Sequence, residues 1–511
     1  MKRNAELEAA ILAAPDDLNS RMVYGDWLQA AGDPVGEWIA MRARLEMNPA
    51  DVATRRAAIA VLAKKKKQLF GEGVGVLERA WIGWKGGFID ELRIQRSPAT
   101  VAGTRTLEVL FAHPLMRYVR HVAFGELARS EDMQAAIAAL GAARFPLLEE
   151  VLLGDQCDRG DRFMVDAITK LPIKRLTLGF VAIGAPMPQL EALTYLDQTI
   201  DATRPSKWIL DGKGPKLTKV TIASGMHGAT TDDEIEMMRA RGIEVVVLRD
   251  PVIDNHYDQA AKSPIVALAF SGGREAVRHI PQAGMVLNNI DSDMISRKQA
   301  SEKMFWLADI AATLPIGVKG YSAYNAAVVR QKADDHDEAE LRAREGLIWS
   351  PNEPNWYSVL LDALRRSGRL AEAKKEIPRA LRAIADQPED AHADSDKWAL
   401  VDAMLVLAQL GDHESAFHLA GTHPQLVDGM HRAVMAICLA LQGDLVKAER
   451  QLALCDTKEP VAEHARAALA IRDGKVEEAK KQIAAAKRKR YGEMHWLAAD
   501  PLLAPLLAKK K

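Results

Sequence analysis

The run Gly368-Arg369-Leu370-Ala371-Glu372-Ala373 has four counterparts: Asp335-His336-Asp337-Glu338-Ala339, Gly411-Asp412-His413-Glu414-Ser415-Ala416, Gly443-Asp444-Leu445-Val446-Lys447-Ala448 and Gly474-Lys475-Val476-Glu477-Glu478-Ala479. In each, a Gly or Asp is followed within a few residues by an Ala in a charged, amphipathic run. The closing alanines are 34, 43, 32 and 31 residues apart. A period near 34 with one longer step predicts an array of helix–turn–helix units carrying one long loop, which is Gln387 to Asp396. Such a pattern implies a binding architecture and leaves the partner open.

Composition bounds the rest. A chain of 511 residues exceeds one core, and Lys+Arg 68 against Asp+Glu 69 gives no global field for nucleic acid or an anionic membrane. The N-terminus enters an acidic amphipathic helix, and no apolar run approaches the roughly 20 residues needed to cross a bilayer. Cys157, Cys438 and Cys455 follow no C-x-x-C spacing, so neither a disulfide framework nor a zinc knuckle is implied. A cytoplasmic protein without cofactor or metal is expected.

Outward from the array, residues 4–14 and Leu18 to Ala31 have helical periodicity. Asp33-Pro34 supplies a cap and first-turn proline for a third helix through Met47. Asn48-Pro49 precedes a fourth helix expected to end in Lys64-Lys65-Lys66-Lys67. Leu7-Glu8-Ala9-Ala10-Ile11, Gly25-Asp26-Trp27-Leu28 and Gly32-Asp33-Pro34-Val35-Gly36-Glu37 together resemble the bacterial repeat-companion domain over about residues 5–45. That resemblance implies a repetitive remainder and carries no activity with it. Trp81, Trp84, Phe88, Ile89, Leu92 and Ile94 read as a strand region around Gly86-Gly87, joining the head to the next layer.

A second repeat runs from 99 to 250. Pro146, Pro188 and Pro215 are each followed by apolar residues at +2, +5 and +7 (Leu148, Val151, Leu153; Leu190, Leu193, Tyr195; Leu217, Val220, Ile222), and Pro172 begins a copy one residue shorter. This spacing predicts short strands with alternate side chains inward. The segment resembles a degenerate leucine-rich array lacking the usual Asn or Cys after the strand. Residues 251–318 fit neither repeat: Ile265 to Phe270 has strand length, then Ser271-Gly272-Gly273-Arg274-Glu275 leads into a helical stretch. The expected class is α+β and helix-dominated. Its domains are 1–98 (helical head and strand join), 99–250 (leucine-rich-like α/β array), 251–318 (connector) and 319–511 (helical solenoid).

The solenoid, from Tyr321 through Ala327, Ala339 and Gly346 to Pro351 and onward, resembles tetratricopeptide repeats, with Trp496 to Leu507 as its cap. The resemblance implies that the first helix of each pair lines a groove. That places Tyr324, Asn325, Val328 and Lys332 there from the first pair, Asp362, Arg365 and Arg366 from the second, and Asp402, Leu405 and Gln409 from the third. A non-enzymatic scaffold holding a protein or peptide partner is expected. The alternative is an enzyme or a nucleotide- or anion-binding protein with its site in 251–318, although Gly272-Gly273 lacks the spacing and Lys-Ser/Thr of a P-loop. Asp390-Ala391-His392-Ala393-Asp394 and the Asp155, Asp158, Asp161 loop lack metal-site spacing. The lysine clusters lack the aromatic residues a nucleic-acid surface uses, so solvated helix ends are the simpler reading.

Overall fold

The computed structural model describes residues 2–71, 80–96, 107–126, 130–153, 166–179, 183–197, 204–224, 229–249, 263–280, 283, 287, 308–310, 321–332, 334–387, 394–455, 460–488 and 502–507. The fold is helix-dominated α+β with one eight-stranded mixed sheet. It divides into two compact units, Met1–Ala333 with Ile348–Ser350, and Asp334–Leu347 with Pro351–Lys511. Head, sheet and connector, expected as three domains, therefore form one unit. The division falls at Asp334 rather than 319, so the helix bearing Tyr324, Asn325 and Lys332 (α9, Tyr321–Lys332) belongs to the first unit. Among the described residues no helix is long and apolar enough to cross a membrane.

The head has four helices: α1 (Ala5–Ala13), α2 (Leu18–Ala30), α3 (Pro34–Met47) and α4 (Val52–Phe70). Their starts are written in the sequence as caps. Asn4 and Asp17 each accept from two backbone amides, and Asp33 accepts from Val35 N with Pro34 in the first turn. The fourth helix departs from expectation at both ends. Asp51, not Asn48, caps it, and the fully buried Leu69 and Phe70 carry it past the lysines to Gly71.

The strand region expected around Gly86-Gly87 is an antiparallel hairpin of β1 (Ala80–Lys85) and β2 (Phe88–Arg96) that turns at these glycines. The turn is clamped to the head. The Trp38 indole N–H donates to the Gly87 carbonyl at 3.0 Å, and a Cβ on Gly87, whose φ is +83°, would meet Ile39 Cα at 2.6 Å. Arg21, fully buried, donates to the carbonyls of Lys85 (2.8 Å) and Pro15 (2.9 Å) and lies 5.6 Å from the ring centres of Phe88 and Tyr118. Head and hairpin thus share one core, which is why the head is not a separate domain.

From β2 the sheet continues through β3 (His121–Glu126), β4 (Glu150–Leu153), β5 (Arg175–Leu178), β6 (Ala192–Asp197), β7 (Lys219–Ser224) and β8 (Glu244–Arg249), each parallel to its predecessor. The spaced apolar residues of the second repeat stack in register as rungs. Val122, Val151, Leu176, Leu193 and Val220 form one, and Phe124, Leu153, Leu178, Tyr195 and Ile222 the next, none more than 1% exposed. Helices α5 (Ser130–Ala143), α6 (Pro205–Leu210) and α7 (Asp232–Ala240) interrupt the strands.

Ile265 to Phe270, expected as a strand, is helical. It lies in α8 (Pro264–Val277), which Ser263 caps by accepting from Ile265 N and Val266 N and which breaks at Gly273. A short apolar run does not separate strand from buried helix by itself, and the Ser-Pro start decides. Ile265, Val266 and Ala269 of α8 pack with Ala223 of β7 and Leu248 of β8, so the connector closes over one face of the sheet.

In the second unit, α10 (His336–Trp349), α11 (Pro354–Arg366), α12 (Leu370–Ala385), α13 (Asp394–Gln409), α14 (His413–Thr422), α15 (Gly429–Gln442), α16 (Leu445–Ala453), α17 (Pro460–Arg472) and α18 (Val476–Arg488) follow one another. From α11 onward each packs on its successor, and α11, α13, α15 and α17 also pack on one another in that order. The five register alanines, Ala339, Ala373, Ala416, Ala448 and Ala479, are all fully buried. Five residues before each stands a left-handed residue: Gly368, Gly411, Gly443 and Gly474, and at the first unit Asp334, with φ of +61°. Of the expected cap, residues 496–501 lie outside the described ones. Leu502 packs with Leu439, Ala448 and Leu469, ahead of α19 (Ala504–Leu507).

Asp334 occupies a position the other repeats give to glycine. Asp334→Gly should raise stability by about 0.5–1 kcal/mol, and Gly411→Ala should lower it by about 1 kcal/mol. Urea unfolding of the full chain measures both. A loss on Asp334→Gly would mean that its side-chain contacts outweigh the backbone strain.

Candidate functional site

Successive side chains of a strand face opposite ways, so the residues between the apolar rungs make a second face. Its first row, in register from β2 to β8, is Glu91, His121, Glu150, Arg175, Ala192, Lys219 and Glu244. Its second is Arg93, Ala123, Leu152, Thr177, Thr194, Thr221 and Val246. Parallel sheets are ordinarily apolar on both faces. Here Glu91, Arg93, His121, Glu150, Thr177, Thr194 and Thr221 are polar and all at most 9% exposed.

These charges are matched partly along the sheet and partly by α8. Glu91 accepts from Arg93 Nε at 2.8 Å and pairs with Arg274 of α8. Glu150 lies 3.1 Å from Arg278, 3.4 Å from Arg175 and 3.3 Å from His121 Nδ1, charge contacts without the alignment of hydrogen bonds. Thr177 donates to the His279 carbonyl at 3.1 Å. Burial would raise the Glu91 carboxyl, but Arg93 and Arg274 hold it below the usual range. Burial likewise opposes ionisation of Glu150, and His121, Arg278 and Arg175 overcome it, bringing it down to about 2. Arg93, wholly enclosed, is pushed down to about 10 by burial against the pull of Glu91. His279 is lowered by burial, with Arg278, Lys219 and Arg175 adding to the effect against Glu150.

Between the sheet and the end of α8 lies a cavity of about 250 Å³, lined by Glu150, Arg175, Thr177, Ala192, Thr194, Lys219, Thr221, Glu275, Arg278 and His279 with Leu176 and Leu193. Sequence reasoning missed this site because it followed the apolar offsets +2, +5 and +7. The signal lay at +4 and +6, where Glu150, Lys219, Thr194 and Thr221 stand.

The residues expected to line a groove are placed otherwise. Asp362, Arg365 and Asp402 are 2%, 2% and 7% exposed, and on α11 every residue from Trp356 to Arg365 is buried. Arg365 pairs with Asp362 and lies 3.7 Å from Asp402, which accepts from Ser358 at 2.6 Å. Arg366 is half-buried and makes the expected i,i+4 bond to Asp362 at 2.8 Å. Arg365 is thus part of an internal network rather than a groove wall. The reason is a first-helix row apolar nearly all round, with Leu405 buried too and Gln409 half-buried at its end. Tyr324 is half-buried on α9, while the side chains of Asn325 and Lys332 lie outside the described residues.

Gly272 and Gly273 fall inside α8, so the strand–turn–helix form of a phosphate cradle is not built there. The Asp155, Asp158, Asp161 loop and residues 388–393 lie outside the described residues. Among the described ones, no three His, Cys, Asp or Glu are gathered to hold a metal ion. No family model matches the chain, and no curated protein matches it.

The two networks give two tests. Arg365→Glu should cost about 3–5 kcal/mol, because it removes the cation shared by Asp362 and Asp402 and buries a third carboxylate beside them. Lys374→Glu on the exposed side of α12 should change stability by about half a kcal/mol or less; equal effects in thermal melts would return Arg365 to the surface. For Glu150, the folded value lies below the ordinary 4.5. Its stabilisation, on the order of 3 kcal/mol, is therefore complete above that range and lost as pH falls toward 2. Glu150→Gln should be less stable than the parent at pH 7, and the difference should shrink steadily between about pH 5 and 2. A constant difference would count against an ionised Glu150.

Proposed function

We propose that the protein is a non-enzymatic scaffold that holds a protein or peptide partner on its repeat surfaces, with the polar face of the parallel sheet as the docking surface. The observation that carries this reading is the part of that face beyond the end of α8, where Arg175, Ala192 and Lys219 are only half-buried at the edge of a cavity. The likeness of residues 5–45 to repeat-companion domains, and of the helix pairs to tetratricopeptide repeats, supports a chain built of binding repeats. Burial of Asp362, Arg365 and Asp402 counts against the first-helix row and supports the sheet as the surface.

The alternative, an enzyme or anion-binding protein with its site in 251–318, draws on Glu275, Arg278 and His279 at the same cavity. Pockets for whole small ligands and cofactors usually enclose about 300–1,000 Å³, so a volume near 250 Å³ favours a single inserted side chain.

Affinity capture with the intact chain and mass spectrometry is the test. Lys219→Glu should reduce recovery of the specific partner about ten-fold or more, with melting shifted by no more than a degree or two. If Lys374→Glu on α12 reduces recovery and Lys219→Glu does not, the helical array is the docking surface.

A further inference from the structure

The first row of the polar face alternates acidic and basic residue types with one exception. From β2 to β8 it reads Glu91, His121, Glu150, Arg175, Ala192, Lys219, Glu244. Opposite charges on neighbouring strands attract and like charges repel, which favours alternation. Around Ala192 the row instead places two cations either side of a methyl group, two strand spacings apart, or about 9–10 Å. The alternation calls for a negative charge there, and the row places none at that position.

The surroundings are built to receive one. Arg175 and Lys219 turn away from Ala192 toward carboxylates on their far sides: Arg175 lies 2.9 Å from Glu149 and 3.4 Å from Glu150, and Lys219 lies 3.3 Å from Glu244. The cavity lies over the position they leave. Both side chains keep about two fifths of their surface in solvent, so each can swing inward without unfolding anything. Thr194 and Thr221, in the row beyond, bring buried hydroxyls to the same cavity. Of the charged side chains lining it, Arg175, Lys219 and Arg278 are cationic and Glu150 and Glu275 anionic. With Glu149 and Glu244, which already pair with Arg175 and Lys219, the charges around the cavity are close to balanced, so a singly charged carboxylate meets less repulsion there than a doubly charged phosphate.

We propose that the cavity over Ala192 is a carboxylate-binding subsite, filled by a Glu or Asp side chain of a peptide partner between Arg175 and Lys219. The proposal rests on the reading of the sheet face as a docking surface and names its anchor. The partner's acidic side chain completes the alternation and takes its hydrogen bonds from the two cations and the threonine hydroxyls. The partly exposed Arg175 and Lys219 at its edge and the modest volume fit a side chain presented from a backbone outside the cavity.

Two experiments on the full chain test this. Ala192→Glu supplies the carboxylate from within, and Ala192→Gln is its uncharged match. The Glu variant should melt higher than the Gln variant by several degrees at low salt, with the gap narrowing in 1 M salt. Equal melting would overturn the assignment.

Calorimetry with the blocked peptide Ac-Ala-Glu-Ala-NH2, its Gln counterpart and propionate tests the parent protein. The Glu peptide should bind at least ten-fold tighter than either of the others, and Lys219→Met and Ala192→Glu should each abolish that preference. Glu and Gln peptides binding alike would overturn the subsite. Propionate binding as tightly as the Glu peptide would overturn the peptide as its occupant and assign the cavity to a free small acid. Failure of the docking reading has a different signature: the Glu peptide binds as stated while partner capture is unaffected by Ala192→Glu.

Discussion

Each strand from β3 to β8 pairs with the strand that precedes it in sequence, in parallel and in register. Residues at equivalent positions of successive repeats are therefore neighbours at about 4.8 Å, whatever their separation along the chain. An apolar residue at such a position meets another apolar residue, and a charge meets a charge. The rungs from Val122 to Val220 and from Phe124 to Ile222 follow from the first case. The alternation through Glu91, Glu150 and Arg175 follows from the second. Closure by α8 follows in turn, because buried carboxylates at Glu91 and Glu150 need more cations than the sheet provides, and Arg274 and Arg278 bring them.

The two units solve a similar problem by different means. In the sheet, polar groups buried on one face are neutralised by a segment from later in the chain. In the helical unit the row α11, α13, α15 and α17 is packed nearly all round, and its charges, such as Arg365 with Asp362 and Asp402, are neutralised within the row. The outer helices bury only a narrow stripe, as α12 does with Ala373, Ile377, Ala380 and Ile384. Small residues at these crossings let the helix pairs approach closely, which is why the register alanines recur.

Much of this was legible where a residue's role is local. Asp33-Pro34 marks the start of α3, Gly86-Gly87 the hairpin turn, and the glycine–alanine pairs the helix junctions, because caps, turns and close crossings each demand particular residue types. The apolar offsets located β4 to β7 for the same reason. Legibility failed where the role depends on distant chain. Ile265 to Phe270 is compatible with strand or helix until Ser263-Pro264 is weighed. Arg365 is as hydrophilic in sequence as Lys374, and only packing separates the buried ion pair from the solvated one. The candidate site was out of reach for a sharper reason: Glu150, Ala192 and Lys219 are unremarkable singly and acquire meaning only when stacked.

The order of signs at the strand starts also bears on how the sheet avoids assembling wrongly. All its repeats offer similar apolar rungs, so hydrophobic burial alone barely distinguishes a strand's proper neighbour from the next one along. Charge does distinguish them. Omitting β3 would set Glu150 against Glu91 and Glu149 against Asp90; omitting β4 would set Lys174 against Arg120. Omitting β5 would set Glu191 against Glu149, and omitting β6 would set Lys219 against Arg175. Each misthreaded sheet brings like charges together where the native one joins Asp90 to Arg120 and Glu149 to Arg175. The sequence thus carries a parity code that makes skipping a repeat unfavourable during folding.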